Sequence, residues 1–134
     1  MRKPNLNKSL TVAALFLWST VGMAAEMIPV KGVYVKKVLV DGGDPTLNFG
    51  GCMANISLPA KFIWPAECAP TPAIAKDPWV TFSCTGDFAT NQVQAYRLLD
   101  QAQLALAGNK KVDVYFTNDK HNGYCFAYRI DVIK

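Results

Sequence analysis

The sequence predicts a β-rich α+β domain: a five-stranded barrel with one helix between its third and fourth strands and two disulfides. Three observations predict it. Short runs of period-two alternation recur along the chain, one segment alone carries apolar residues at helical spacing, and four cysteines follow a leader of the export type. The 134 residues are 51% hydrophobic and 18% charged, which suits one globular domain. That composition excludes a disordered tail, a collagen-like repeat, a multi-span membrane protein and a long coiled coil.

Arg2, Lys3 and Lys8 precede an apolar run from Leu10 to Met23, and Ala24 and Ala25 follow it. This is the order of a secretory signal peptide. Cleavage after Ala24 leaves Gly22 and Ala24 at the two positions that must be small, and cleavage after Ala25 is the alternative. The run is short for an anchor helix, which needs about 20 apolar residues to cross a bilayer. No cysteine follows it that could carry a lipid. Residues 1–25 are therefore read as the leader, and 26–134 as a single domain. Cleavage removes three of the 14 basic residues and none of the 10 acidic ones, taking the net charge from +4 to +1. A nucleic-acid binder needs a concentrated cationic footprint, and the pairs Lys36-Lys37 and Lys110-Lys111 do not make one.

Residues 30–40 (VKGVYVKKVLV) form the first strand. Val33 and Val35 fall on one face and Val38 and Val40 on the other, so the alternation slips at Lys36-Lys37, as a β-bulge makes it do. The turn Asp41-Gly42-Gly43-Asp44-Pro45 ends it. A second strand runs through Thr46–Phe49 and continues beyond Gly50-Gly51 as Cys52–Leu58. The double glycine marks a sharp bend or a close backbone approach. Asn55-Ile56-Ser57 spells a glycosylation sequon, which inside a strand reads as chance unless the source is eukaryotic.

Five prolines (Pro59, Pro65, Pro70, Pro72, Pro78) bar a helix interior or a central strand from 59–78. That segment is an ordered loop carrying Phe62, Ile63 and Trp64. The third strand is Trp79–Cys84. The helix follows, with Asp87 or Thr90 as its cap and Val93, Tyr96, Leu99, Ala102 and Leu106 as its apolar stripe, widened by Leu98 and Ala105. Gly108-Asn109 ends it in a left-handed cap. Lys111–Thr117 is the fourth strand. A polar turn through His121, Asn122 and Gly123 leads into the fifth, Tyr124–Ile133, with Tyr124, Phe126, Tyr128, Ile130 and Val132 on one apolar face. Three strands, a helix and two strands is the element order of the OB-fold, a small Greek-key barrel.

Cys52, Cys68, Cys84 and Cys125 all lie in the mature part. An even number in an exported chain reads as two disulfides. Metal binding is the rival, but no C-x-x-C pair is present and His121 is the only histidine. Of the three pairings, Cys68–Cys84 with Cys52–Cys125 is favoured. The first would close the proline-rich excursion, and the second would tie an early strand to the last one.

No nucleophile–base–orienter pattern, H-E-x-x-H or phosphate-cradling glycine loop appears, and the acidic residues are spread apart. His121 sits in a polar turn and reads as a solvated loop residue. The chain is read as no enzyme, with no cofactor and no metal. Aromatic side chains offer binding instead, because an exposed ring in a secreted β-domain can stack on a sugar or anchor a protein contact. Trp64, Tyr115 and Tyr124, with Asn122 of the turn, are the candidate ligand-binding residues. Trp79 borders a core strand and reads as packing.

The stretch from Tyr96 to Tyr115 (YRLLDQAQLALAGNKKVDVY) resembles the helix-to-strand segment of the B subunits of subtilase-cytotoxin-type and pertussis-like toxins. There an aromatic-rich helix ends in glycine, and a basic residue and V-x-V-Y follow. The leader, the G-x-Y-V strand at Gly32–Val35 and the disulfide-tied barrel belong to the same likeness. Small secreted bacterial proteins of unknown function share this layout. The resemblance implies an OB-fold subunit that forms a ring pentamer and binds cell-surface glycans. The 59–78 segment lies outside that pattern, and no sugar-contacting residue is carried over from it.

The sequence is thus read as a secreted or periplasmic, non-catalytic protein that binds a glycan or glycoprotein in the manner of a toxin B subunit. Homo-oligomers are compatible with that reading; nucleic-acid binding and stable membrane insertion after cleavage are not. Two alternatives stand beside it. One is a periplasmic protein-interaction or inhibitor module that uses the 59–78 loop. The other is a small hydrolase whose site is assembled only in three dimensions.

Overall fold

In the computed structural model, which describes residues 25–42, 49–72, 76–86 and 91–134, β1 (Met27–Val40) is long enough to pair with two neighbours. Expected features at residues 1–24, at 46–48 and at Asp87 and Thr90 lie outside the described residues. The first half of β1 runs antiparallel to β4 (Lys111–His121), and the second half to β2 (Cys52–Ile56). Two register shifts bend the strand between these partners. One lies between Val35 and Lys37, where the slipped alternation predicts it. The other, between Val30 and Val33, is not legible in the valine pattern. There Gly32 takes a positive φ of 67°, and its N–H donates to the Asp113 carboxylate at 2.8 Å.

β2 pairs antiparallel with β3 (Trp79–Thr81), and β4 with β5 (Tyr124–Val132). β3 meets β5 in parallel through Thr81 and Phe126. The neighbour order β1-β2-β3-β5-β4, with β4 returning to β1, closes the sheet on itself. Its interior is filled by Val30, Val33, Val35, Ile56, Val80, Phe82, Val112, Val114, Phe116 and Ile130. Burying each such side chain stabilises the fold by roughly 1.5–3 kcal/mol.

β5 does not present the single apolar face expected of it. The register shifts around Phe116, so that Tyr115 faces Arg129 and Phe116 faces Ala127, with Tyr128 left over on the β5 side. Alternation is reset there. Cys125 and Ala127 are fully buried on one side of the slip and Ile130 is buried on the other, while Tyr128 is only partly buried.

The helix α1 (Gln92–Ala107) packs against β1 and β5. Its cap is Asn91, whose side-chain oxygen accepts from Gln94 N at 3.0 Å. Such a cap contributes about 1 kcal/mol. At the other end Asn109 adopts a positive φ of 48°, with Lys110 N bonded to Ala105 O at 2.9 Å and Asn109 N to Leu106 O at 3.3 Å. That is a Schellman closure with asparagine in the left-handed position. The buried face is Ala95, Leu99, Ala102 and Ala105, with Leu98 partly covered. Val93, Tyr96 and Leu106, placed by the sequence reading on the apolar stripe, are exposed. The alanines decide the orientation, because their small side chains let the helix axis come close to the sheet.

The disulfides are Cys52–Cys84 and Cys68–Cys125, with Cα–Cα distances of 5.6 and 4.9 Å. The expected pairs, Cys68–Cys84 and Cys52–Cys125, are not formed. Their geometry requires β2 beside β5, but β3 lies between them. Cys52 opens β2 where the chain leaving β3 passes it, with Phe82 N donating to Cys52 O at 3.1 Å, so Cys84 is its cross-strand neighbour. Cys68 ends a 3-10 turn (Ala66–Cys68) that packs on β5 and β4, which delivers it to Cys125. The loop is therefore closed onto the last strand and not onto itself.

Candidate functional site

Two glycines assemble one end of the closed sheet. Gly50 and Gly51 take φ values of 82° and 85°, a region side chains rarely enter. A Cβ on Gly50 would lie 2.9 Å from Ser83 Cα and 3.5 Å from His121 Nδ1, so the β1–β2 connection, the chain after β3 and the β4–β5 turn converge there. The double glycine was expected to permit a close approach, and this is that approach. The Thr81 hydroxyl holds it together: it bonds the Phe49 carbonyl oxygen and accepts from Ser83 N at 3.0 Å.

Beside Gly50, Phe49 and Tyr124 meet edge to face with centroids 6.2 Å apart. His121 pairs with Tyr124 across the turn, and Asn122 stands exposed between them in sequence with a φ of 52°. Pro70 lies under the same turn, since a Cβ on Gly123 would come within 2.9 Å of its ring. Two of the expected ligand-binding residues, Tyr124 and Asn122, thus share this end of the molecule.

The other two do not. Trp64 is 5% exposed, and its ring stacks on Phe116 with centroids 4.9 Å apart. Its indole N–H donates to Cys68 O at 3.2 Å. The ring is the loop's anchor in the core and offers no surface to a ligand, which corrects its assignment as a binding residue. The reason is local: the 3-10 turn at Ala66–Cys68 folds the loop back over β4, and the indole is the apolar mass that fills the gap. Tyr115 lies along β4, away from the turn, with the Arg129 guanidinium 4.8 Å over its ring. Asp131, hydrogen-bonded to Arg129 with NH2 to Oδ2 at 2.7 Å, holds that guanidinium charged and raises its pKa further. Trp79 is partly buried at the start of β3. Asn55 is fully buried and its Nδ2 donates to Asp77 Oδ1 and Pro78 O, both at 2.9 Å, which agrees with the sequon being chance.

On the Gly51 side opens a cleft of about 330 Å³. Gly51 and Cys84 border it, Val40 and Tyr96 give it apolar walls, and Asp41, Thr85 and Gln92 line it with polar groups. Asp41 N donates to Gly51 O at 2.9 Å, and Gln92 Nε2 approaches Thr85 O at 3.5 Å. Tyr96 is 49% exposed. A tyrosine beside an aspartate, a threonine and a glutamine is a residue set suited to a polyhydroxylated ligand, whose C–H faces stack on a ring and whose hydroxyls bond polar groups.

The sequence reading missed this cleft because it buried Tyr96 in the helix–sheet contact. The alanine triplet Ala95, Ala102, Ala105 is the signal that places Tyr96 outside.

Among the described residues, no group of three or more His, Cys, Asp or Glu side chains is arranged to hold a metal ion. No helix among them is long and apolar enough to cross a membrane. Comparison with protein-family models, with curated proteins and with solved structures finds no match for this chain.

Proposed function

We propose that this chain is an exported binding protein whose closed sheet is an OB-type barrel and whose cleft beside Gly51 takes a sugar residue of a glycan or glycoprotein. The observation that carries the reading is the half-exposed Tyr96 ring on a concave surface that also holds Asp41, Thr85 and Gln92. The strand order, the parallel β3–β5 pairing and the helix between β3 and β4 support the barrel type. The likeness of Tyr96–Tyr115 to toxin B subunits also supports the barrel type. Four cysteines paired in two disulfides, behind a leader-like segment, support export. The function is recognition, and no bond is made or broken in it.

The test is a glycan array probed with the purified, oxidised protein, followed by titration of the best sugar against Tyr96→Ala and Asp41→Asn. Each substitution is expected to weaken binding by about tenfold or more, and Tyr96→Ala, at a half-exposed position, to do so without lowering the melting temperature. Unchanged affinity in both variants would remove the cleft as the site.

One observation favours a second reading, a protein contact made by the proline-rich loop. Ile63 is 88% exposed on a segment that Trp64 and the Cys68–Cys125 bond hold rigid. A rigid loop presenting one large apolar side chain is the shape of an inhibitor or assembly contact. Ile63→Asp would abolish capture of a protein partner under this reading and leave glycan binding intact.

A further inference from the structure

The outer face of α1 carries a seam, apolar at its two ends and charged between them, that no other described residue covers. Val93 is 60% exposed and Leu104 58%, and Arg97 and Asp100 lie exposed between them. The four positions are spaced by four, three and four residues, so they fall on one line along the helix, the spacing of a coiled-coil seam. Neither Arg97 nor Asp100 has an ion-pair partner among the described residues.

We propose that this face is the two-fold interface of a homodimer in which α1 packs antiparallel against α1 of a second copy. The order of residues along the seam is self-complementary. With the axis at the level of Leu98 and Leu99, Val93 of one copy meets Leu104 of the other, and Arg97 meets Asp100, twice over by symmetry. A parallel pairing would set Arg97 against Arg97 and Asp100 against Asp100, so the charges select the antiparallel arrangement. Beyond Leu104 a hollow of about 210 Å³, bordered by Gly108, Lys110, Val132 and Ile133, gives Val93 of the second copy a socket.

Val93 and Leu104 stand 11 positions apart on the helix, so the seam is about 17 Å long. A single helix pair buries less than the roughly 800 Å² per partner of a standard interface. The dimer is therefore one that dissociates on dilution.

Sedimentation velocity of the purified, oxidised protein over a dilution series tests this. Wild type is expected to pass from dimer to monomer. Arg97→Asp and Asp100→Arg each leave only like charges across the axis, and each is expected to weaken association by about tenfold or more. Mixing these two variants restores both opposite-charge pairs, and a heterodimer of near wild-type affinity is expected. All four seam residues are exposed, so unchanged melting temperatures serve as the control for folding. A monomer at every concentration overturns the proposal, and so does a five-membered ring. A dimer indifferent to the charge reversals overturns it as well, because another face would then be in contact.

Discussion

Trp64 lies over Phe116 at 4.9 Å between ring centroids, with 28° between the ring planes. The indole belongs to the loop and the phenyl ring to β4, so one stacked pair fastens the proline-rich segment to the sheet. Trp64→Ala would lose the buried indole and leave a cavity. The expected cost is about 3–5 kcal/mol, seen as a lower midpoint in urea unfolding. A variant as stable as wild type would mean that the indole does not sit in the core.

The disulfide assignment is checked directly by peptide mapping of the unreduced protein. Fragments joined as Cys52–Cys84 and Cys68–Cys125 are expected, and a Cys68–Cys84 fragment would contradict the fold. The two bonds span 32 and 57 residues of chain. In the chain-entropy account each contributes about 4 kcal/mol. Replacing either pair by serine is expected to lower the melting temperature by more than any surface substitution.

Gly50 and Gly42 make a paired test of the converging end. A Cβ at Gly50 meets Ser83 Cα at 2.9 Å in a left-handed backbone, whereas one at Gly42 meets no atom of the described residues within 4 Å. Gly50→Ala is expected to destabilise by about 2 kcal/mol or more, and Gly42→Ala to change stability little. Equal effects in thermal melts would refute the close approach.

Asp77 introduces a dependence on pH. Partial burial pushes its carboxyl upward, but hydrogen bonds from Lys36 and Asn55, together with the Lys36 charge, outweigh that and lower its pKa. The Lys36 ammonium is 3.2 Å away. A lowered folded-state value means that the contribution is complete above the ordinary carboxylate range and is lost as pH falls through the lowered value. The pair is half solvated, so its contribution is under about 1 kcal/mol. Asp77→Asn is expected to flatten the decline of melting temperature below about pH 4 and to matter little at neutral pH.

Local pattern and tertiary choice separate cleanly in this chain. The bulge at Lys36-Lys37 was legible because it shifts valines between faces, and the double glycine because few other roles demand it. The bulges at Gly32 and Tyr128 were not, since neighbouring apolar residues continue on both sides of the slip. Cysteine pairing depends on which strands become neighbours, a property of the closed sheet and not of any segment. For the helix, both Val93–Tyr96 and Ala95–Leu99–Ala102 are apolar series, and proximity to the sheet favours the smaller one. The candidate cleft was hidden by that same ambiguity, since Tyr96 changes from packing to surface when the helix turns.

The contact between β3 and β5 is one ladder pair, Thr81 with Phe126, and it is the shortest seam in the closed sheet. Cys84 follows Thr81 by three residues and Cys125 immediately precedes Phe126, so each covalent bond has one end at that seam. In folding time, the hairpin of β4 and β5 draws on near neighbours and forms early, whereas the seam joins distant parts of the chain and closes late. Neither covalent bond crosses the seam: Cys84 is tied to Cys52 of β2 and Cys125 to Cys68 of the loop, so oxidation fastens each side of the seam to its own flank. Reduction would free β3 and β5 from those flanks and leave the single Thr81–Phe126 pair to hold the seam.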